Sequence, residues 1–187
     1  VLVPAGNHLI SYDKNGKKVK GWKFKSAKAQ IANTPQLLQV NKKDYLIFND
    51  VNGKMYTLNR KGEERIKYHN TLPKNNKNYE IYLNGTLSNG GIVTTDTSGT
   101  VIFLKMNDEI TNITTRNFTR EHAFSLDKLS KGSASDLLYY DEQEVYAYQL
   151  TKNKILNIKG IDFEPSFGIS THTINKQGAR IITLTDR

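Results

Sequence analysis

Tyr45-Leu46-Ile47-Phe48-Asn49-Asp50-Val51-Asn52-Gly53-Lys54-Met55-Tyr56-Thr57-Leu58 reads as one β-hairpin. An apolar run leads into an Asp-x-x-Gly turn, and a run of alternating polarity leads out. An Asp that opens a tight turn caps it with its side chain, and a closing Gly supplies the positive φ that other residues resist. The arrangement recurs. Gly91-Ile92-Val93-Thr94-Thr95 runs into Asp96-Thr97-Ser98-Gly99 and out through Val101-Ile102-Phe103-Leu104. Leu137-Leu138-Tyr139-Tyr140 runs into Asp141-Glu142-Gln143-Glu144 and out through Val145-Tyr146-Ala147-Tyr148. The three turns begin 46 and 45 residues apart.

A second series of turns keeps the same period: Asp13-Lys14-Asn15-Gly16, Asn59-Arg60-Lys61-Gly62, Lys105-Met106-Asn107-Asp108 and Thr151-Lys152-Asn153-Lys154. Two turn series sharing one period point to a repeated four-stranded unit, and the length suits a β-propeller blade. The expected fold is therefore all-β: blades of four antiparallel strands, about four blade-lengths in the chain. The copies run roughly over 1–33, 34–78, 79–122, 123–160 and, in part, 161–187. The best copy has strands at Pro35–Val40, Asp44–Asn49, Lys54–Asn59 and Glu64–Tyr68. Asn84–Gly90 and Arg116–Glu121 read as loops. A helical repeat would need long amphipathic stretches, and Phe124–Leu129 alone approaches one. Val1–Val3 and Arg180–Leu184 both read as second strands of a blade. The chain thus starts and stops at one point of the repeat, as expected of a piece of a larger propeller completed by other chain segments; Arg187 is a residue after which a trypsin-like protease cuts.

Composition agrees with a packed β protein. Hydrophobic residues make up 37% of the 187, and 13 glycines add to the apolar total, so a core can form. Tyr and Phe, at 10 and 7, suit half-buried strands. With no cysteine, disulfides and thiolate metal sites are excluded. No apolar run reaches the roughly 18 residues that a spanning helix needs.

The net charge of +9 is lopsided. Residues 1–80 carry 16 Lys/Arg against 6 Asp/Glu, and residues 81–187 carry 11 against 12. Seven lysines lie between Lys14 and Lys28, and Lys14, Lys17, Lys18, Lys20, Lys23 and Lys25 form the candidate binding surface. Such a stretch can attract polyanions, but lysines on alternating strands are also ordinary solvent-facing residues. Only six of the 27 basic residues are Arg, whose fork phosphate recognition favours, so nucleic acid is not the expected partner.

Leu9-Ile10-Ser11-Tyr12-Asp13, a Gly, the Trp-bearing strand Gly21-Trp22-Lys23-Phe24, a Pro-led strand at Pro35 and Tyr45-Leu46-Ile47-Phe48 together resemble the repeat of pyrroloquinoline-quinone-type and WD-repeat-like propellers. The period matches over the whole chain, the motif over about the first seventy residues. Gly21-Trp22-Lys23-Phe24 and Tyr56-Thr57-Leu58-Asn59-Arg60-Lys61-Gly62 look like the propeller portion of uncharacterised extracytoplasmic Bacteroidota proteins. That resemblance implies a periplasmic or cell-surface scaffold with no assigned reaction. Quinone enzymes of this type carry a Trp in nearly every blade and a calcium ligand set. One Trp and no such set imply no cofactor here, and Trp22 is read as packing between blades.

Other motifs dissolve on inspection. The Asp turns begin like calcium loops, but Lys17, Lys54 or Thr100 stands at the fifth position, where a ligand is required. Ser11-Tyr12-Asp13-Lys14 fits Ser-x-x-Lys, a signature that acts at a helix start, whereas here a strand enters a turn. His8, His69, His122 and His172 are spread singly, without zinc spacing. Asn84, Asn112 and Asn117 open Asn-x-Thr triplets, read as polar turns. No catalytic, cofactor or metal residue is assigned. The expected function is a non-catalytic scaffold or binding module for a protein or glycan partner. One alternative is an enzyme whose channel site brings together at least two of Asp96, Asp141, Glu121 and His122. The other is polyanion binding by the basic first half.

Overall fold

The computed structural model describes residues 1–74, 79–84, 86–113, 122–127, 136–141, 144–149, 154–159, 169–173 and 180–184. Every regular element among them is a β-strand. The hairpin β1 (Leu2–Ala5) and β2 (His8–Ser11) comes first. Then follows a meander of β3 (Gln36–Val40), β4 (Lys43–Asn49), β5 (Met55–Leu58) and β6 (Glu64–Ile66), paired in chain order. A second meander holds β7 (Glu80–Asn84), β8 (Thr86–Thr95), β9 (Val101–Lys105) and β10 (Ile110–Ile113). A third holds β11 (Ala123–Asp127), β12 (Asp136–Tyr140), β13 (Glu144–Gln149) and β14 (Lys154–Lys159). The hairpin β15 (Ile169–Thr173) and β16 (Arg180–Leu184) is last. The protein is thus all-β, built of small antiparallel sheets, three of them four-stranded.

The Asp-x-x-Gly turns explain the order. At Asp50, Oδ1 accepts the N–H groups of Asn52 and Lys54 at 3.0 and 3.1 Å, and Gly53 N–H bonds Asp50 O at 2.9 Å. Asp13 binds Asn15 and Lys17 in the same way, and Asp96 binds Ser98 and Thr100. Asn59 repeats the pattern with its amide oxygen, toward Lys61 and Glu63. Gly16, Gly53, Gly62 and Gly99 all take φ between 74° and 84°, the left-handed region that a Cβ disfavours. Gly53 is fixed twice, since a Cβ there would also lie 2.0 Å from Leu72 O.

Burial corrects the alternation read in the strands after the Asp turns. Met55, Tyr56, Thr57 and Leu58 are all buried, as are Asp44–Phe48 and Asp136–Tyr140. A strand covered on both faces has no polar side to alternate with. Thr57 keeps its place by a hydroxyl contact with Tyr68 at 3.5 Å. Three further expectations change. Asn84–Gly90 is not a loop: β7 runs to Asn84 and β8 begins at Thr86, with a register shift between Tyr82 and Asn84. Phe124 opens no helix but sits in β11. Gly21-Trp22-Lys23-Phe24 forms no strand, because Lys23 N–H turns to Lys61 O at 2.8 Å instead of to β2. Arg116–Glu121, Asn117 and the turn at Thr151–Asn153 lie outside the described residues.

The chain divides into two compact units, residues 1–78 with 104–111, and residues 79–103 with 112–187. In the first, Leu9 of β2 and Leu46, Phe48, Tyr56 and Leu58 of the first meander share a core with Ala27 and Ile31 from the segment between the sheets. Trp22 and Phe24 pack against it, and Phe48 stacks on Tyr56 at 5.1 Å between ring centres. In the second unit, Tyr82, Val93 and Val101 meet Leu137 and Tyr139. Each core is the apolar filling between two consecutive sheets.

Candidate functional site

The six predicted lysines lie on an extended, exposed stretch. Lys14 and Lys17 flank the Asp13 turn, Lys18 bridges back to Tyr12, and Lys20 follows. Lys23 and Lys25 alternate with the half-buried Trp22 and Phe24, which face the core. Trp22 Nε1 donates to Leu9 O at 2.8 Å, so the ring is held by packing and a backbone bond.

A different set of cations lines a cavity in the same unit. The β3–β4 turn places Asn41 and Lys42 at φ 50° and 60°, two left-handed residues in succession, as a tight two-residue hairpin demands. The β5–β6 turn at Asn59–Gly62 falls at the same end of the meander, because alternate turns of an antiparallel meander share an end. Between the turns lies a cleft of about 260 Å³, lined by Lys42, Lys43, Asp44, Asn59, Arg60, Lys61, Glu63 and Arg65. Its five cations are all exposed.

Its anchoring is specific. Asp44 is buried and its carboxylate pairs with Arg60 Nε, while Gln39 Nε2 donates to it at 3.1 Å. A buried carboxylate without such partners would be strongly unfavourable, so the pairing sets Arg60 in position. The Arg65 guanidinium lies 5.0 Å over the Tyr45 ring, a cation–π contact. Asn59 Nδ2 donates to Glu63 Oε2 at 2.9 Å. The Lys23–Lys61 backbone bond brings one predicted lysine to the rim. The cleft lies outside the lysine stretch that the sequence predicts, although Lys42-Lys43 and Arg60-Lys61 are legible as cationic pairs in alternate turns.

The acid–base candidates have other employment. In the second unit, Asp96, Asp141 and His122 border the buried Tyr139. The His122 ring meets Tyr139 edge-on at 5.3 Å, and its Nε2 pairs with Thr95 Oγ1 at 2.8 Å. Burial, with lesser effects of Asp96 and Asp141, pushes the Tyr139 phenol far up. Tyr139 O–H donates to Gly99 O at 2.7 Å, stitching β12 to the Asp96 turn. Burial opposes ionisation of Asp96, but the hydrogen bonds from Ser98 and Thr100 outweigh it and hold the carboxyl below its usual range. Asp141 Oδ1 accepts Glu144 N–H at 2.9 Å. Glu121 lies outside the described residues. His8 Nδ1 meets Lys25 O, and His69 Nδ1 meets Asp108 Oδ2, each 2.8–2.9 Å away. Among the described residues no three His, Asp or Glu side chains gather so as to hold a metal ion, and no helix is long and apolar enough to cross a membrane.

No family model matches the chain, and a comparison with curated proteins finds no match. Among solved structures, a protein of unknown function from Bacteroides caccae is similar, with a TM-score of 0.47 and 13% identity. The match covers 98% of this chain and 64% of that one, so the chain spans less than two thirds of its length.

Proposed function

We propose that the protein is a non-catalytic binding module whose sheets are blades of a β-propeller, presenting turns to a partner. The observation that carries this reading is the employment of the turn and cleft carboxylates among the described residues. Asp13, Asp50 and Asp96 cap turns, Asp44 anchors Arg60, and the exposed chemistry at the turn end of the first meander is cationic. A hydrolytic or transfer site needs a nucleophile or acid–base pair that a substrate can reach. Tyr139 and His122 are buried instead. Three meanders paired in chain order, with a core between consecutive sheets in each unit, support the blade reading.

The test has two arms. An experimental structure of the native protein should place β3, β7 and β11 innermost about a common axis; sheets packed in any other order overturn the propeller. Incubation with a panel of acidic and neutral polysaccharides and peptides should release no product. Turnover abolished by Asp141→Asn would overturn the non-catalytic reading.

A further inference from the structure

We infer that the cleft between the β3–β4 and β5–β6 turns binds an anionic saccharide, one that carries carboxylate or sulfate groups beside free hydroxyls. This rests on the binding-module reading and names the ligand class for it. Charge comes first. Lys42, Lys43, Lys61 and Arg65 are exposed, and Arg60, though paired through Nε with Asp44, leaves most of its side chain exposed. Asp44 is thereby neutralised, so the field that a ligand meets is positive.

The lining also decides between anions. Glu63 and Asn59 face the same space and offer acceptors: Glu63 engages Asn59 Nδ2 through Oε2, leaving Oε1 available. A carboxylate among five cations reduces the pull on a purely anionic chain and accepts hydrogen bonds from hydroxyls. A ligand with both anionic groups and several hydroxyl donors satisfies both halves of the lining, whereas an acidic peptide has only its backbone N–H groups for the acceptors. A nucleic acid would want a ring for its bases to stack on, and the lining contains no aromatic residue; the nearby Tyr45 ring is buried beneath Arg65. Three of the five cations are lysines, which meet anions as point charges and suit sulfates and carboxylates in variable spacing. The volume of about 260 Å³ admits a unit of sugar size, and its open face lets a polymer continue past it. The Lys23 backbone bond to Lys61 extends the cationic path toward the predicted lysine stretch.

The experiment is titration calorimetry of the full chain with heparin, polygalacturonate and polyglutamate at two salt concentrations. Heparin or polygalacturonate should bind, more weakly at the higher salt, and polyglutamate of similar charge at least ten-fold more weakly. The double variant K42Q/K61Q should lose at least ten-fold in saccharide affinity with an unchanged melting temperature, since neither side chain is buried. A second variant, K14Q/K17Q/K18Q, removes one charge more from the neighbouring stretch and should lose less than three-fold. Equal losses in the two variants would reduce binding to general charge and overturn the cleft. Polyglutamate binding as tightly would overturn the saccharide class, and no binding by either saccharide would overturn both. Such failures leave the propeller and the absence of turnover standing, since those are read from other measurements.

Discussion

Two joints in the first unit occupy corresponding places in the repeat and are built from different chemistry. In one, Trp22-Lys23-Phe24 lies on the turn Asn59–Gly62. In the other, Tyr68-His69-Asn70 lies on the turn Lys105–Asp108. Trp22 and Tyr68 are 46 residues apart, as are Gly62 and Asp108. Both turns close with the same backbone bonds: Asn59 N–H to Glu63 O and Lys105 N–H to Glu109 O, at 2.9 and 2.8 Å. The first joint is apolar, with one backbone bond from Lys23 to Lys61 and the Trp22 ring against Gly62. The second is polar. Asp108 accepts the N–H groups of His69 and Asn70 at 2.9 and 3.0 Å and pairs with the His69 imidazole, while Tyr68 O–H reaches Met106 Sδ at 3.2 Å. What the repeat conserves is therefore the backbone role of each position. The side chain that fills the role is free to vary, and the copies drift apart in sequence while keeping one geometry.

The largest effect should come from the corner where the two joints share a conformation. Gly62 has φ 78°, and a Cβ there would lie 2.8 Å from Phe24 N and 2.9 Å from the Trp22 ring. Gly62→Ala should destabilise by roughly 4 kcal/mol, combining a left-handed penalty of about 1–2 with overpacking of about 1–3. Asp108 holds φ 73° at the matching corner. Asp108→Gly relieves that backbone cost while losing the ties to His69 and Asn70, so its net loss should be about 1 kcal/mol. Chemical denaturation of both variants measures the contrast. Equal losses would mean that the two corners are not equivalent.

Next in size are the side chains at the heart of each joint. Trp22→Ala should cost about 3 kcal/mol, at the low end for a tryptophan because the ring is half-buried. Tyr68→Phe should cost about 1 kcal/mol, the usual worth of one hydrogen bond, since the ring itself is fully buried and stays. A larger loss for Tyr68→Phe than for Trp22→Ala, by thermal melting, would make the polar joint the stronger one.

The joints also mark where sequence reading stops. Turn chemistry is local, so Asp13, Asp50, Asp96 and Gly53 announced the hairpins and their period from the residues alone. The strands buried on both faces were legible as apolar runs such as Tyr45–Phe48. The Trp22 segment read as a strand because its alternation is real, but its partner is Lys61, almost forty residues on, and nothing local encodes that bond. The cationic cleft was hidden for a related reason. Lys42-Lys43 and Arg60-Lys61 become neighbours only through the pairing of β3 to β6, whereas the lysines of residues 14–25 are already close in sequence. The buried Asp44 that positions Arg60 looked like any polar residue at a strand start.

Acid should separate the two joints with the smallest perturbation of all. Burial works against the Asp108 carboxylate, but the hydrogen bonds from His69 and Asn70 and the nearby imidazole together outweigh it and hold the carboxyl below its usual range. A carboxyl whose folded pKa is depressed adds stability that is present above its unfolded value, about 3.9, and is lost as pH falls through the lower folded value. The first joint contains no titratable group in its contacts, since Lys23 N–H, Lys61 O, Trp22 and Gly62 keep their form throughout. Protection of the His69 and Asn70 amides against hydrogen exchange, corrected for intrinsic rate, should therefore decline below about pH 4 while that of Lys23 holds. The decline should be modest, because His69 is exposed and solvent screens its charge. Asp108→Asn removes the carboxylate and should erase the difference between the joints. If Lys23 loses protection at the same pH as His69, the unit opens as a whole, and the joints do not act as separate contacts.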